Sequence, residues 1–126
     1  MIVKYNRKEI DIPVEKVSRF GKISGLMLKN KETENLLFKF NTETRMRIHS
    51  FFVFFPFLAI WTDKKNKVLE FKVVTPFSPS VRPKNKFLNL IEMPVNEKNR
   101  KVIDLFLKND GKSSLLRRKK KSLKRK

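Results

Sequence analysis

The chain has 126 residues, with no cysteine, one histidine and three glycines. Such a length suits one domain with its own core, and the lack of thiols excludes disulfides and thiolate metal sites while permitting a reducing compartment. Lys and Arg number 31 against 12 Asp and Glu, and a net charge of +19 attracts polyanions such as nucleic acid or anionic lipid.

In chain order, "MIVKY" and "EIDIP" predict a short strand pair turning around Asn6–Lys8. Charge at Lys4, Arg7, Lys8 and Glu9 interrupts the apolar residues there, so no secretory signal is expected and the cytoplasm is the expected location. "VEKVSRFGKISGLML" places Val14, Val17 and several long side chains at helical spacing, although Gly21 and Gly25 weaken a helix by about 1 kcal/mol each. "LLFKF" reads as a strand.

The run "IHSFFVFFPFLAIW" is the most apolar part of the chain. From Phe51 to Trp61 it holds ten apolar side chains and one proline. A spanning helix needs about 20 residues, and Pro56 would break one in the middle. Phe, Val, Ile and Trp suit a pleated sheet. Met46, Ile48, Ser50, Phe52 and Phe54 would share one face, and Arg45, Arg47, His49, Phe51 and Val53 the other. The expectation is therefore two successive core strands separated by Pro56, with Phe54 and Ile60 both packed inside.

"TDKKNK" predicts a polar hairpin turn, after which Leu69, Phe71 and Val73 alternate with Glu70 and Lys72. Pro76, Pro79 and Pro83 make "TPFSPSVRPK" an extended loop. "FLNLIEM" alternates again. Asn96 can cap a helix with an apolar stripe of Val102, Ile103, Leu105 and Phe106, ending near Asp110-Gly111. These elements sum to an α+β fold, mainly β. About seven strands with one or two short helices would form a strongly curved or barrel-like sheet.

The order "SGLMLKN", "NLLFKF", "IHSFFVFFP", Asp63, a Pro-rich loop and "NLIEMP" resembles the domain of unknown function 192 family, also called uncharacterised protein family 0127. The resemblance covers roughly residues 10–107. It implies a compact β-rich domain with a small closed or barrel-like sheet, and no particular reaction. Gly25, Leu26 and Met27 match the family's Gly-Leu-Met, Phe38 and Phe40 its apolar pair, Pro56 its proline, Asp63 its turn acid and Glu92 its late glutamate. Two residues after the proline the family carries aspartate where this chain has Leu58, so any site built on that carboxylate is in question here.

Little else points to chemistry. Three scattered glycines cannot write a phosphate-cradling loop, and one histidine without cysteine leaves almost nothing to hold zinc or iron. No cofactor is expected. Glu32 with Glu34, and Glu9 with Asp11, read as solvated pairs. His49 is the one imidazole of the chain, a side-chain type suited to general acid–base work, and an enzyme could use it with Asp63 or Glu92 brought near. The plainer reading is a histidine hydrogen-bonded at a strand margin.

Charge divides the chain at residue 111. Residues 1–111 carry 22 basic and 12 acidic residues, whereas residues 112–126 carry nine basic residues and no acid. Those nine are Lys112, Arg117, Arg118, Lys119, Lys120, Lys121, Lys124, Arg125 and Lys126. Consecutive like charges repel, so residues 112–126 are expected to form a disordered basic tail behind a β-rich domain of residues 1–111. Leu115, Leu116 and Leu123 without an aromatic make a poor interfacial helix, which favours RNA over an anionic membrane surface. A nuclear-import signal would look similar, but the family that the chain resembles is chiefly prokaryotic. The sequence therefore favours a non-catalytic module that associates with RNA or ribonucleoprotein through this tail. The alternative is a small-ligand-binding or catalytic barrel around His49, Asp63 and Glu92.

Overall fold

The structure is a computed structural model that describes residues 1–17, 26, 29–50 and 52–108. Its organising element is the second half of the apolar run. Phe57–Thr62 forms strand β5, buried at all six positions. A strand without a polar face must be covered on both sides.

The described strands before it are β1 (Ile2–Tyr5), β2 (Lys8–Asp11), β3 (Glu15–Lys16) and β4 (Leu36–Thr44); β6 (Val68–Val74) and β7 (Phe87–Pro94) follow. One helix is described, α1 (Arg100–Lys108). The fold is thus mainly β, with seven strands in two sheets among the described residues. β1 and β2 form the expected hairpin, whose Asn6 and Arg7 both have positive φ, at 52° and 64°. Two left-handed residues match the right-handed strand twist at a two-residue loop. The larger sheet runs β3-β4-β7-β5-β6, antiparallel except where β3 meets β4. Among the described residues that order places β3 and β6 at the two ends of the larger sheet. The hairpin reaches the β6 side through Lys4, whose N–H donates to the Asn66 carbonyl at 2.9 Å.

Two apolar layers cover the sheet. On one face Leu37, Leu58, Ile60, Ile91 and Met93 pack against Val3, Ile10 and Ile12 and against Ile103, Phe106 and Leu107 of α1. On the other, Phe38, Phe57, Ala59, Trp61 and Leu90 pack against Leu26, Ile48, Val53, Phe55 and Val81. The cap on α1 is as expected, with the Asn96 carboxamide oxygen accepting from the Asn99 N–H at 2.9 Å. The stripe is shifted: Leu105 is exposed and Leu107 is buried in its place. Positions 103, 106 and 107 keep the i, i+3, i+4 spacing of one helix face.

Two further expectations are corrected. Glu15 and Lys16, expected in a helix, pair in parallel with Leu36 and Leu37; residues 18–25, 27, 28 and 109–111, where the rest of that helix and the end of the other were expected, lie outside the described residues. The first half of the apolar run is not a core strand. Before the turn Ile48 and Ser50 are buried, and after it Val53 and Phe55 are. The Val53 N–H donates to the Ser50 carbonyl at 3.1 Å, and Phe52 adopts φ 59°. This turn reverses the parity of the chain, so Phe52 and Phe54 face solvent. Strand propensity alone could not show the reversal, because phenylalanine fits both sides of it.

Ile60→Ala should cost about 2–5 kcal/mol through lost burial and a residual cavity, whereas Phe54→Ala should cost less than about 1 kcal/mol. Urea midpoints of the two variants check this; equal losses would return Phe54 to the core.

Candidate nucleic-acid interface

Residues 45–50 and 78–83 run antiparallel across the sheet's outer layer, bridged where Ile48 and Val81 exchange N–H···O bonds of 2.8 and 2.7 Å. Burying Ile48 and Ser50 leaves their neighbours Arg45, Arg47 and His49 exposed, and burying Val81 does the same for Arg82.

Ser50, fully buried, is the hub of this layer. Its hydroxyl donates to the Thr75 carbonyl at 2.6 Å and accepts from the Ser78 N–H. Its backbone N–H donates to the Ser78 carbonyl, and its carbonyl accepts from the Phe77 N–H, each at 2.9 Å. A polar side chain in an apolar layer is tolerable when it is satisfied in this way. The same bonds fix two unusual residues, Phe52 and Phe77, at φ 59° and 61°. Left-handed backbone at a bulky residue costs about 1–3 kcal/mol and persists only where the surroundings enforce it.

The outcome is a cluster of exposed rings. Phe52, Phe54 and Phe77 are 54%, 61% and 53% exposed, and Phe54 meets Phe77 edge-on at 5.5 Å between centroids. The sequence carried one signal of this arrangement. Ser50 stands inside an apolar run, and Pro56, Pro76 and Pro79 bracket the rings at places where regular pairing must stop.

The three residues of the alternative site are held apart. Asp63 follows β5, and its Oδ1 accepts from the Lys65 and Lys67 N–H groups at 2.8 and 2.9 Å, which commits it to a turn. His49 adjoins Ser50, whose partner Thr75 lies beyond Val74, the residue paired with Phe57 at the opposite end of β5. Glu92 lies within β7, paired with Leu36 and Ala59. Among the described residues no group of three His, Cys, Asp or Glu is placed to hold a metal ion. Leu58, at the family's aspartate position, is fully buried in the layer against α1, where an unpaired carboxylate would be costly. Gly25, Met27 and the nine basic residues of 112–126 lie outside the described residues.

Glu92 is the one buried acid among the described residues, 5% exposed, and burial pushes its carboxyl up to about 8. Its Oε1 has no hydrogen-bond partner, nor has the Trp61 Nε1. Glu92 faces the same layer as Ala59, and Trp61 stands two residues further along that face. A neutral carboxylic acid is the form this environment favours.

A second polar cluster joins α1 to the loop before β4. Asn99 Nδ2 donates to Asn35 Oδ1 at 2.8 Å and to the Pro94 carbonyl at 2.7 Å, and Asn35 Nδ2 donates to the Pro13 carbonyl at 2.9 Å. These amides floor a cleft of about 90 Å³ between Pro13, Glu34, Lys98 and Val102. Their bonds tie elements together, and the cluster reads as structural.

No family model matches the chain, and no curated protein does. The resemblance to the domain of unknown function 192 family therefore rests on the motifs quoted above. Two solved structures are similar to it. One is a protein of unknown function from Novosphingobium aromaticivorans DSM 12444, with TM-score 0.65, 13% identity, and coverage of 79% of this chain and 74% of that one. The other is a candidate transcription regulator from Sinorhizobium meliloti 1021, with TM-score 0.66, 13% identity, and coverage of 80% and 81%. At such identity the likeness is one of fold.

Glu92 has a consequence for stability. Its folded pKa lies above the ordinary 4.5, so its favourable contribution is complete below that value and declines as pH rises toward about 8. Within that window the slope should approach about 1.4 kcal/mol per pH unit. Glu92→Gln keeps the shape without the charge and should flatten the decline in urea midpoint between pH 5 and 8. Parallel profiles for the two proteins would show that Glu92 ionises without penalty.

Proposed function

We propose that this chain is a cytoplasmic, non-catalytic β-rich module that associates with RNA or ribonucleoprotein by charge. The observation that carries the reading is the segregation of charge, with nine cations and no anion in residues 112–126 behind a domain that is itself +10. Each phosphate neutralised releases counterions, so such a segment supplies affinity without sequence preference. Exposed Arg45, Arg47 and Arg82 add cations on the outer layer. The fold likeness to a candidate transcription regulator is consistent with a nucleic-acid partner.

Membership of the domain of unknown function 192 family is part of the same proposal, on the order and spacing of its motifs. So is a barrel-like continuation of the sheet, in which the β1–β2 hairpin extends the β6 edge through the bridge between Lys4 and Lys67.

Removing residues 112–126 should leave the domain folded, because every described element ends before that segment. The log–log salt slope of RNA binding should flatten by about 4 if half of the nine charges contact phosphate. Unrelated RNA sequences should lose affinity alike. Filter-binding titrations across salt decide the matter: equal slopes for intact and truncated protein would reduce the basic segment to a solubiliser.

A further inference from the structure

We propose that Phe52, Phe54 and Phe77 form a platform on which unpaired bases stack, so that the RNA this chain takes is single-stranded where it meets the domain. The inference rests on the RNA reading above and adds the class of RNA and the residues that select it.

Exposure comes first. Three phenylalanines more than half exposed, two of them in edge contact, form an apolar surface that an ordinary soluble face does not need. Their backbone is the second observation. Phe52 and Phe77 occupy left-handed conformations that glycine would adopt without strain. The buried Ser50 network enforces that geometry and so holds rings at positions where the fold alone would favour no side chain.

Charge identifies the occupant. The segments that carry the rings, residues 44–62 and 71–91, contain no Asp or Glu, and Arg45, Arg47 and Arg82 are exposed along them. The Glu70 carboxylate meets the second segment only at the Lys84 and Asn85 N–H groups. Rings flanked by arginines in this way match a single strand, whose bases offer faces and whose phosphates offer charge. A duplex keeps its base faces stacked on one another and cannot use the rings in this way. A second copy of the chain docked by the same patch would bring these arginines toward their own counterparts, which disfavours self-association.

The test uses the full chain with two probes, a labelled single-stranded oligouridylate and an RNA duplex of equal length. Phe54→Ala and Phe77→Gly should each weaken oligouridylate binding by about tenfold, the usual scale for one stacked base. Duplex affinity and the salt slope should not change, since no charge is removed. Phe77→Gly relieves the left-handed strain, so its thermal midpoint should match or exceed that of the parent, which separates lost binding from lost fold. Phe54→Leu retains apolar area without a ring and should bind as weakly as Phe54→Ala.

Wild-type affinity in Phe54→Leu, or an equal fall for duplex and single strand, would overturn the platform. So would loss of self-association in sedimentation with RNA binding intact, which would make a second copy the occupant. If the wild-type chain binds neither probe at low salt, the RNA reading itself fails. If it binds both and ignores the rings, the platform alone fails.

Discussion

The double burial of β5 and β7 governs this molecule. Neither strand offers a polar face, and together they lie inside the order β3-β4-β7-β5-β6, so apolar material must cover both sides of the sheet. Burial of large side chains at about 25 cal/mol per Å² is the dominant favourable contribution in such a domain. The β1–β2 hairpin and α1 cover one side. The antiparallel pair of segments around Ile48 and Val81 covers the other, and it does so without forming a regular strand. The surface of that second cover is shaped by what it must bury. With Ile48, Ser50, Val53 and Phe55 turned inward, the turn after Ser50 leaves Phe52 and Phe54 outward.

Polar groups inside the two layers follow different rules. Ser50 and the Asn35–Asn99 pair are satisfied by backbone carbonyls or by each other, and each joins segments distant in the chain. Glu92 is not satisfied in that way. Its carboxyl lies opposite the small Ala59, and an unpartnered oxygen in so apolar a layer costs stability whenever it is charged. A domain that keeps such an acid becomes less stable as pH rises from about 4.5 toward about 8, and this dependence is separate from the surface charge that dominates the composition.

Much of the fold was legible in the sequence because the relevant signals are local. The alternation in "FLNLIEM", the Asn-Arg turn between β1 and β2, the Asp63 turn and the Asn96 cap each declare themselves within a few residues. The failures lie where distant contacts decide. Glu15 and Lys16 extend because Leu36 and Leu37 are available beside them, which no local pattern announces. The parity of the run after Ile48 depends on hydrogen bonds that Ser50 exchanges with Thr75, Phe77 and Ser78, more than 20 residues away in sequence. Periodicity placed Phe52 and Phe54 with Ile48, and one turn reversed them. The separation of His49, Asp63 and Glu92 is equally non-local, since it is set by the register of β5 against β6 and β7.

The proposed interface thus has two parts of different origin, a basic segment legible from charge alone and a ring cluster that the fold turns outward. Photochemical cross-linking of the full chain to a single-stranded RNA, with adducts mapped to individual peptides, examines both parts at once. Adducts are expected on the peptides carrying Phe52, Phe54 and Phe77 as well as within residues 112–126. Adducts confined to residues 112–126, or found on the β1–β2 hairpin and α1 with none on the rings, would contradict an RNA-facing role for this surface.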